Sequence, residues 1–322
     1  MHLTRTNRRR LAKAGALLLT GLFLVSCDNG PSEPAGGSSD YVLEVRYLGT
    51  APTGAALASF ETAFTIVRET ITGALTPVAI PTNFSDLTDC GPEFAGQPAV
   101  PNGTIPGLVV YVLVTPIDGV GGTLGSAGPC LVRSESQRFL TALGVMRLDA
   151  ADVANLQTTD RLRFVVLHEM LHVLGFGTIW EDNVLLSGTG TTNARFLGPR
   201  ARTACANTHA GGAPCASTVP VHSLDGPGSA YAHWRESLFT NELMTPFLNA
   251  GATPFSSMTV ESLGDLGYTV SITHTNAFSV SGTELRSLVE SAEAAPVQFS
   301  DPIRPVFTLD ERGALKPFRR VQ

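Results

Sequence analysis

The chain has 322 residues, 43% hydrophobic and 16% charged, with a formal net charge of −6. That length allows one large domain or two modest ones and ample material for a core. An acidic balance of this size excludes a nucleic-acid partner held by a basic surface.

Residues 1–27 read as an export signal. Arg5, Arg8, Arg9, Arg10 and Lys13 precede an apolar run, Ala14 to Val25, that at twelve residues is too short to span a bilayer. Its removal leaves 17 basic against 28 acidic side chains, a net charge of −11. The closing Leu24-Val25-Ser26-Cys27 resembles the bacterial lipobox. The resemblance implies that Cys27 is lipidated and that the mature protein is an exported lipoprotein held to a membrane of the cell envelope by acyl chains. Residues 28–40, rich in Gly, Pro and Ser, then form a flexible tether.

Regular signals begin at Tyr41, whose alternating segment to Tyr47 predicts a strand. Ala55 to Thr72 predicts an amphipathic helix through Leu57, Phe60, Phe64, Val67 and Ile71. The continuous apolar run Leu108 to Val114, rich in Val, predicts a strand buried on both faces. A Gly-rich stretch, residues 119–128, leads to short strands at Cys130 to Arg133 and Thr141 to Leu148. Asp160 is expected to N-cap a helix starting at Arg161, which Gly175 ends. Residues 178–228 read as a long irregular insertion, Thr259 to Leu266 as a helix, and the Pro-containing tail 295–322 shows no pattern and receives no function. Cys90, Cys130, Cys205 and Cys215 read as two disulfides. Three pairings are open; proximity favours Cys205 with Cys215, leaving Cys90 with Cys130.

The helix from Arg161 holds His168-Glu169-Met170-Leu171-His172, two imidazoles one turn apart and facing one point. Glu169 beside them can take a proton from the water that attacks a carbonyl. The flanking residues Phe164, Val165, Val166, Leu167, Met170, Leu171, Val173 and Leu174 are apolar on every side, so the helix is a buried one. Two core histidines and a capped glutamate are the bland reading, but burying these groups without a metal or full hydrogen bonding is costly. Catalytic zinc takes three protein ligands and an open position. Position 178, where compact metzincins place the third histidine, is Thr. The residues alone leave His209, His222, His233, His274 and, as acids, Glu236 or Glu261.

Four blocks resemble the leishmanolysin-like metallopeptidases: His168 to Phe176, Gly228 to Glu236, Asn241 to Pro246, and Leu263 to Tyr268. These are metzincins with an insertion before the third histidine. The resemblance implies that His233 completes the zinc ligands with His168 and His172, that Glu169 is the general base, and that Met244 lies in the Met-turn beneath the metal. Asp265 to Tyr268 is implied to be structural. The fold so implied is α+β and metzincin-like. A mixed twisted sheet with two helices, the second bearing the zinc motif, spans 41–177, and a largely irregular C-terminal subdomain with a Met-turn and a helix spans 229–294.

The activity so expected is hydrolysis of peptide bonds in extracytoplasmic proteins by one zinc ion and a water activated by Glu169, in a minimal bacterial form. The substrate peptide is expected along an exposed edge strand at Cys130 to Arg133. A catalytically silent zinc-fold binding module, or an amidase acting on a non-protein envelope amide, are the alternatives. Glu181, Asp182 and the Gly-rich loop are read as solvated groups, with no calcium assigned.

Overall fold

The computed structural model describes residues 41–97, 103–208, 215–224, 226, 229–278, 297–299 and 302–318. The export signal with Cys27, the tether and His209 lie outside them. Strand β1 (Leu43–Leu48) leads into helix α1 (Gly54–Thr70), then β2 (Val78–Ala79) and β3 (Thr104–Ile105), which pair with each other. There follow β4 (Leu108–Thr115), β5 (Gly125–Val132), β6 (Thr141–Asp149), and helices α2 (Ala150–Leu156) and α3 (Leu162–Val173). Next come β7 (Leu186–Ser187), β8 (Arg195–Phe196), α4 (Pro199–Thr208), β9 (Val219–Pro220), α5 (Glu236–Phe239), β10 (Phe247–Leu248) and α6 (Ser257–Leu266). Three short strands close the chain: β11 (Val297–Gln298), β12 (Phe307–Leu309) and β13 (Leu315–Pro317). Among the described residues no helix is long and apolar enough to cross a membrane.

The main sheet is mixed, in the order β1-β4-β6-β5-β12-β13. β4 runs parallel to both β1 and β6, while β5 is antiparallel to β6. Because successive side chains of a strand alternate faces, the apolar run in β4 feeds two cores. Leu108, Val110 and Val112 join α1 and α3 in one; Val109 and Tyr111 join Phe94, Ile105, Cys90 and Cys130 in the other. α1 lays Phe60, Ala63, Phe64 and Val67 against this first core. Ten of the twelve residues of α3 are buried, so every polar group on it must find its partner inside the protein. α3 packs close on the sheet because position 144 is Gly; a Cβ there would overlap the Val173 side chain.

Disulfides join Cys90 to Cys130 and Cys205 to Cys215. Several expectations need correction. The strand expected at Cys130 to Arg133 starts at Gly125, inside the Gly-rich stretch, and all eight of its residues are buried. It is no exposed edge: β12 pairs with it in parallel, Phe307 beside Leu131 and Thr308 beside Val132. Arg133 is buried too, its guanidinium donating to the carbonyls of Thr76, Thr141 and Gly107. Small residues and Pro129, which brings a register shift, hid the strand from a pattern reading. Asp160 does not cap α3; it has φ +57° and pairs with Arg163, and the helix starts at Leu162.

The helix bearing the zinc motif is preceded by α2 as well as α1. The segment 178–228 is not irregular throughout: β7, β8 and β9 form an antiparallel sheet and α4 follows β8. Its strands are two residues long, below any periodicity, and α4 is rich in Ala and Thr rather than large apolar residues. The tail likewise holds β11, β12 and β13, strands of two or three residues, with Pro302 and Pro305 between the first two. Asp265 accepts from the backbone N–H of Arg200 and Ala201 at the start of α4, and Tyr268 Oη donates to Leu174 O at 3.0 Å. That is the structural part expected of the Asp265 to Tyr268 segment.

The turn from β6 into α2 is organised by one carboxylate. Asp149 Oδ1 accepts from Ala151 and Asp152, capping α2, and Oδ2 accepts from Ile117, Asp118 and Gly119. Burial opposes its ionisation, but the surrounding backbone N–H groups outweigh that and hold the carboxyl below its ordinary value. A depressed carboxyl stabilises the fold above its unfolded pKa and loses that contribution as pH falls through the folded pKa. Asp149→Asn is therefore expected to cost about 1–3 kcal/mol at pH 7, with the gap to wild type narrowing below about pH 4. Urea melts at several pH values read this directly, and an unchanged midpoint at pH 7 would refute it.

Candidate active site

On α3 the spacing of four residues sets His168 and His172 one turn apart, and a turn at the far side of the insertion brings His233 to them. Their Nε2 atoms lie 3.0 Å (His168 to His172), 3.1 Å (His172 to His233) and 3.2 Å (His168 to His233) apart. Each ring is held by its other nitrogen: Nδ1 of His168 lies 2.7 Å from Leu243 O, that of His172 2.9 Å from Phe176 O, and that of His233 3.0 Å from Ser229 O. A backbone carbonyl only accepts, so each Nδ1 bears the proton and each Nε2 presents a lone pair. Burial, and then the neighbouring imidazoles, push all three rings well below the ordinary histidine value, so they are neutral in neutral solution.

Three lone pairs aimed at each other cannot hydrogen-bond to one another. They fit a cation. Tetrahedral zinc with Zn–N of about 2.0–2.1 Å would set its nitrogens roughly 3.3 Å apart, close to the spacing found. Carbonyls on the second nitrogens are the outer partners that metal-bound histidines ordinarily have. Among the described residues, no other group of three His, Cys, Asp or Glu side chains converges in this way. Glu169 is wholly buried on the same helix, and Gly125 of β5 lies so near that a Cβ there would stand 3.2 Å from its carboxyl carbon.

The turn after α3 makes the approach of His233 feasible. Gly177 has φ +72°, and a side chain there would strike the backbone of Ala232, the residue before His233. Thr178 is buried and donates to His172 O at 3.0 Å. Around this turn Phe176, Trp180, Phe196 and Trp234 pack edge-to-face or tilted into an aromatic wall. The backbone N–H of Trp234 donates to Met244 O at 2.9 Å, tying the third histidine to the buried Met244.

The other candidate ligands stand apart. His222 is buried beside His233, its N–H donating to His233 O, but its ring is outside the three-histidine group. His274 pairs with Glu69, Glu261 with Arg200, and Glu236 accepts from Asn249.

Two residues at the site have no signal in the sequence. Glu242 is buried, with Oε1 accepting from Ser256 and Thr259 and Oε2 from the Met244 N–H at 2.6 Å. It thereby holds the turn whose Leu243 carbonyl orients His168. Burial raises its pKa, against those hydrogen bonds. Phe299 stacks flat on His168, with ring centroids 4.0 Å apart and planes 6° from parallel. Its position, 131 residues from His168 in a patternless tail, gave no hint of this.

Comparison with known proteins agrees with the site. The family model for leishmanolysin, peptidase M8, matches residues 92–283, a stretch containing all three histidines, Glu169 and Met244. Leishmanolysin of Leishmania donovani is 30% identical over 193 residues, 56% of this chain and 31% of that protein. The chain thus spans about a third of that relative's length. With more than half of its length matched by the family model, and with the α+β fold and three-histidine site of a metzincin, the chain belongs to the leishmanolysin family of metallopeptidases.

Proposed function

We propose that the protein is a zinc-dependent endopeptidase that hydrolyses peptide bonds of extracytoplasmic proteins, held to the cell envelope through a lipidated Cys27. The observation that carries this is the convergence of three neutral imidazole Nε2 atoms, each oriented through Nδ1, beside a buried glutamate on the same helix. His168, His172 and His233 would hold the metal, and Met244 packs in the turn behind Leu243. Bound zinc supplies a Lewis acid that polarises a peptide carbonyl and brings the pKa of water toward about 7.

The remaining work falls to the chain. Glu169 accepts the proton of the attacking water and passes it to the leaving amine. The carbonyls of Leu243, Phe176 and Ser229 keep the imidazoles in one tautomer and one orientation. Glu242 keeps the first of those carbonyls in place. The silent binding module has one observation in its favour, since no side chain of the centre is exposed to solvent. The two readings separate on Glu169, which only a hydrolase requires.

On a mixed peptide library Glu169→Ala is expected to lower kcat/KM about 10²–10⁴-fold while one zinc stays bound per chain. Retention of wild-type cleavage would remove Glu169 as the base. Stripping the metal with a chelator should lower Tm, and zinc at about a thousand times its Kd should restore roughly 4 kcal/mol. His233→Ala should lose that gain; a full zinc-dependent rise in the variant would exclude His233 from the ligand set. Glu242→Gln replaces one acceptor oxygen with a donor facing the Met244 N–H or the Ser256 and Thr259 hydroxyls. It should cost about 1–3 kcal/mol and weaken zinc binding about tenfold, as read by denaturation and competitive chelation.

A further inference from the structure

A peptide substrate commonly adds itself as a strand to an open sheet edge. The edge available beside this centre is that of β5, whose first residue, Gly125, abuts Glu169. In the structure that edge is taken by the protein's own C-terminal segment. Gly125 N–H donates to Phe299 O at 3.1 Å, Ile303 N–H to Ala127 O at 2.8 Å, and Val306 N–H to Cys130 O at 3.1 Å, before β12 pairs with Leu131 and Val132. On the opposite lip, β11 pairs antiparallel with β10 and Phe299 N–H donates to Pro246 O at 2.9 Å, two residues beyond Met244.

The backbone of Phe299 therefore bridges both lips of the cleft, and its ring covers the face of His168. Arg304 fastens the segment to the turn after α3, donating to Gly177 O at 2.6 Å and Thr178 O at 3.1 Å. His168, Glu169, His172, His233 and Phe299 all have 0% exposure. No substrate carbonyl reaches such a centre.

We propose that residues 297–299 and 302–309 act as an intramolecular plug: they occupy the strand position and the space over His168 that a peptide needs, and they must leave before it can bind. This rests on the endopeptidase reading for what enters, but the covering of the metal site stands on geometry alone. A tethered segment competes at an effective concentration of about millimolar, so weak docking suffices to hold it in place. Gly128 offers the cleanest probe. A Cβ there would collide with Ile303 O, so Gly128→Ala pushes the segment away without touching the histidines or Glu169.

The test uses the full chain loaded with Co²⁺, whose visible spectrum reports acetohydroxamate reaching the metal, together with cleavage of a quenched peptide library by the zinc form. Gly128→Ala and Phe299→Ala are expected to bind acetohydroxamate at least about tenfold more tightly and to cleave at least about tenfold faster. A synthetic peptide of residues 297–309 should reverse both gains, and adding Glu169→Ala should abolish cleavage alone. In the wild type, which needs no variant to fold, the binding rate should level off with acetohydroxamate concentration at the rate of opening. Equal affinity and equal cleavage in wild type and a folded Gly128→Ala, or a wild-type rate linear over the whole range, would overturn the plug. Access gained in the variants with no peptide cut would keep the plug and sink the endopeptidase reading instead.

Discussion

Three imidazole lone pairs directed at one point in a solvent-free interior are the constraint around which this protein is organised. Without a cation they are acceptors 3.0–3.2 Å apart with no proton to share, an arrangement as unfavourable as any buried unsatisfied polar group. With one, the same geometry becomes a source of folding free energy, since the site does not exist in the unfolded chain. The fold accordingly invests several unrelated elements in keeping the lone pairs convergent. One carbonyl comes from the turn that follows α3, one from the segment before His233, and one from the residue before Met244.

Those elements are locked to each other by a closed ring of hydrogen bonds. Glu242 accepts from the Met244 N–H, Met244 O accepts from the Trp234 N–H, Trp234 Nε1 donates to Thr259 Oγ1 at 2.8 Å, and Thr259 Oγ1 donates back to Glu242. Trp234 donates twice, Glu242 accepts twice, and Met244 and Thr259 each donate once and accept once, all in the sense their chemistry allows. Such a ring in a low-dielectric interior is rigid when complete and costly when broken. It joins α6, the turn at Met244 and the residue after His233 into one body. The convergence of the three imidazoles thus depends on Glu242 and Thr259, neither of which belongs to the histidine group itself.

Legibility in the sequence followed the length over which a physical signal repeats. α1, β4 and the core helix α3 were readable because apolar spacing persists over a turn or more in each, and His168, Glu169 and His172 because their spacing is itself the geometry. His233 was not readable from its surroundings, where His209, His222 and His274 looked equivalent; only the family resemblance singled it out. β5 escaped because Gly, Ala and Pro make a strand without a pattern, and Asp160 misled because Asn and Asp serve as well in left-handed turns as at helix caps. Glu242 and Phe299 had no local signature at all. Their roles come from partners up to 131 residues away, a relation that only the folded chain contains.

The composition of the sheet edges bears on why the C-terminal segment lies where it does. The outer strand β1 carries Glu44 and Arg46, paired with each other, and the outer strand β13 carries Lys316 and ends at Pro317; both devices discourage pairing with another chain. β5 has no charged residue between Gly125 and Val132. Left bare, it would be a sticky apolar edge beside the three-histidine centre, and under the proposed function charging it would spoil the surface that a substrate backbone approaches. Covering it with residues 297–299 and 302–309 resolves the conflict, because a strand that pairs through its backbone protects the edge and can be exchanged for another that pairs the same way. Protection of the edge and closure of the centre are then one interaction, which is why Phe299 can bond to both Gly125 and Pro246 while its ring lies on His168.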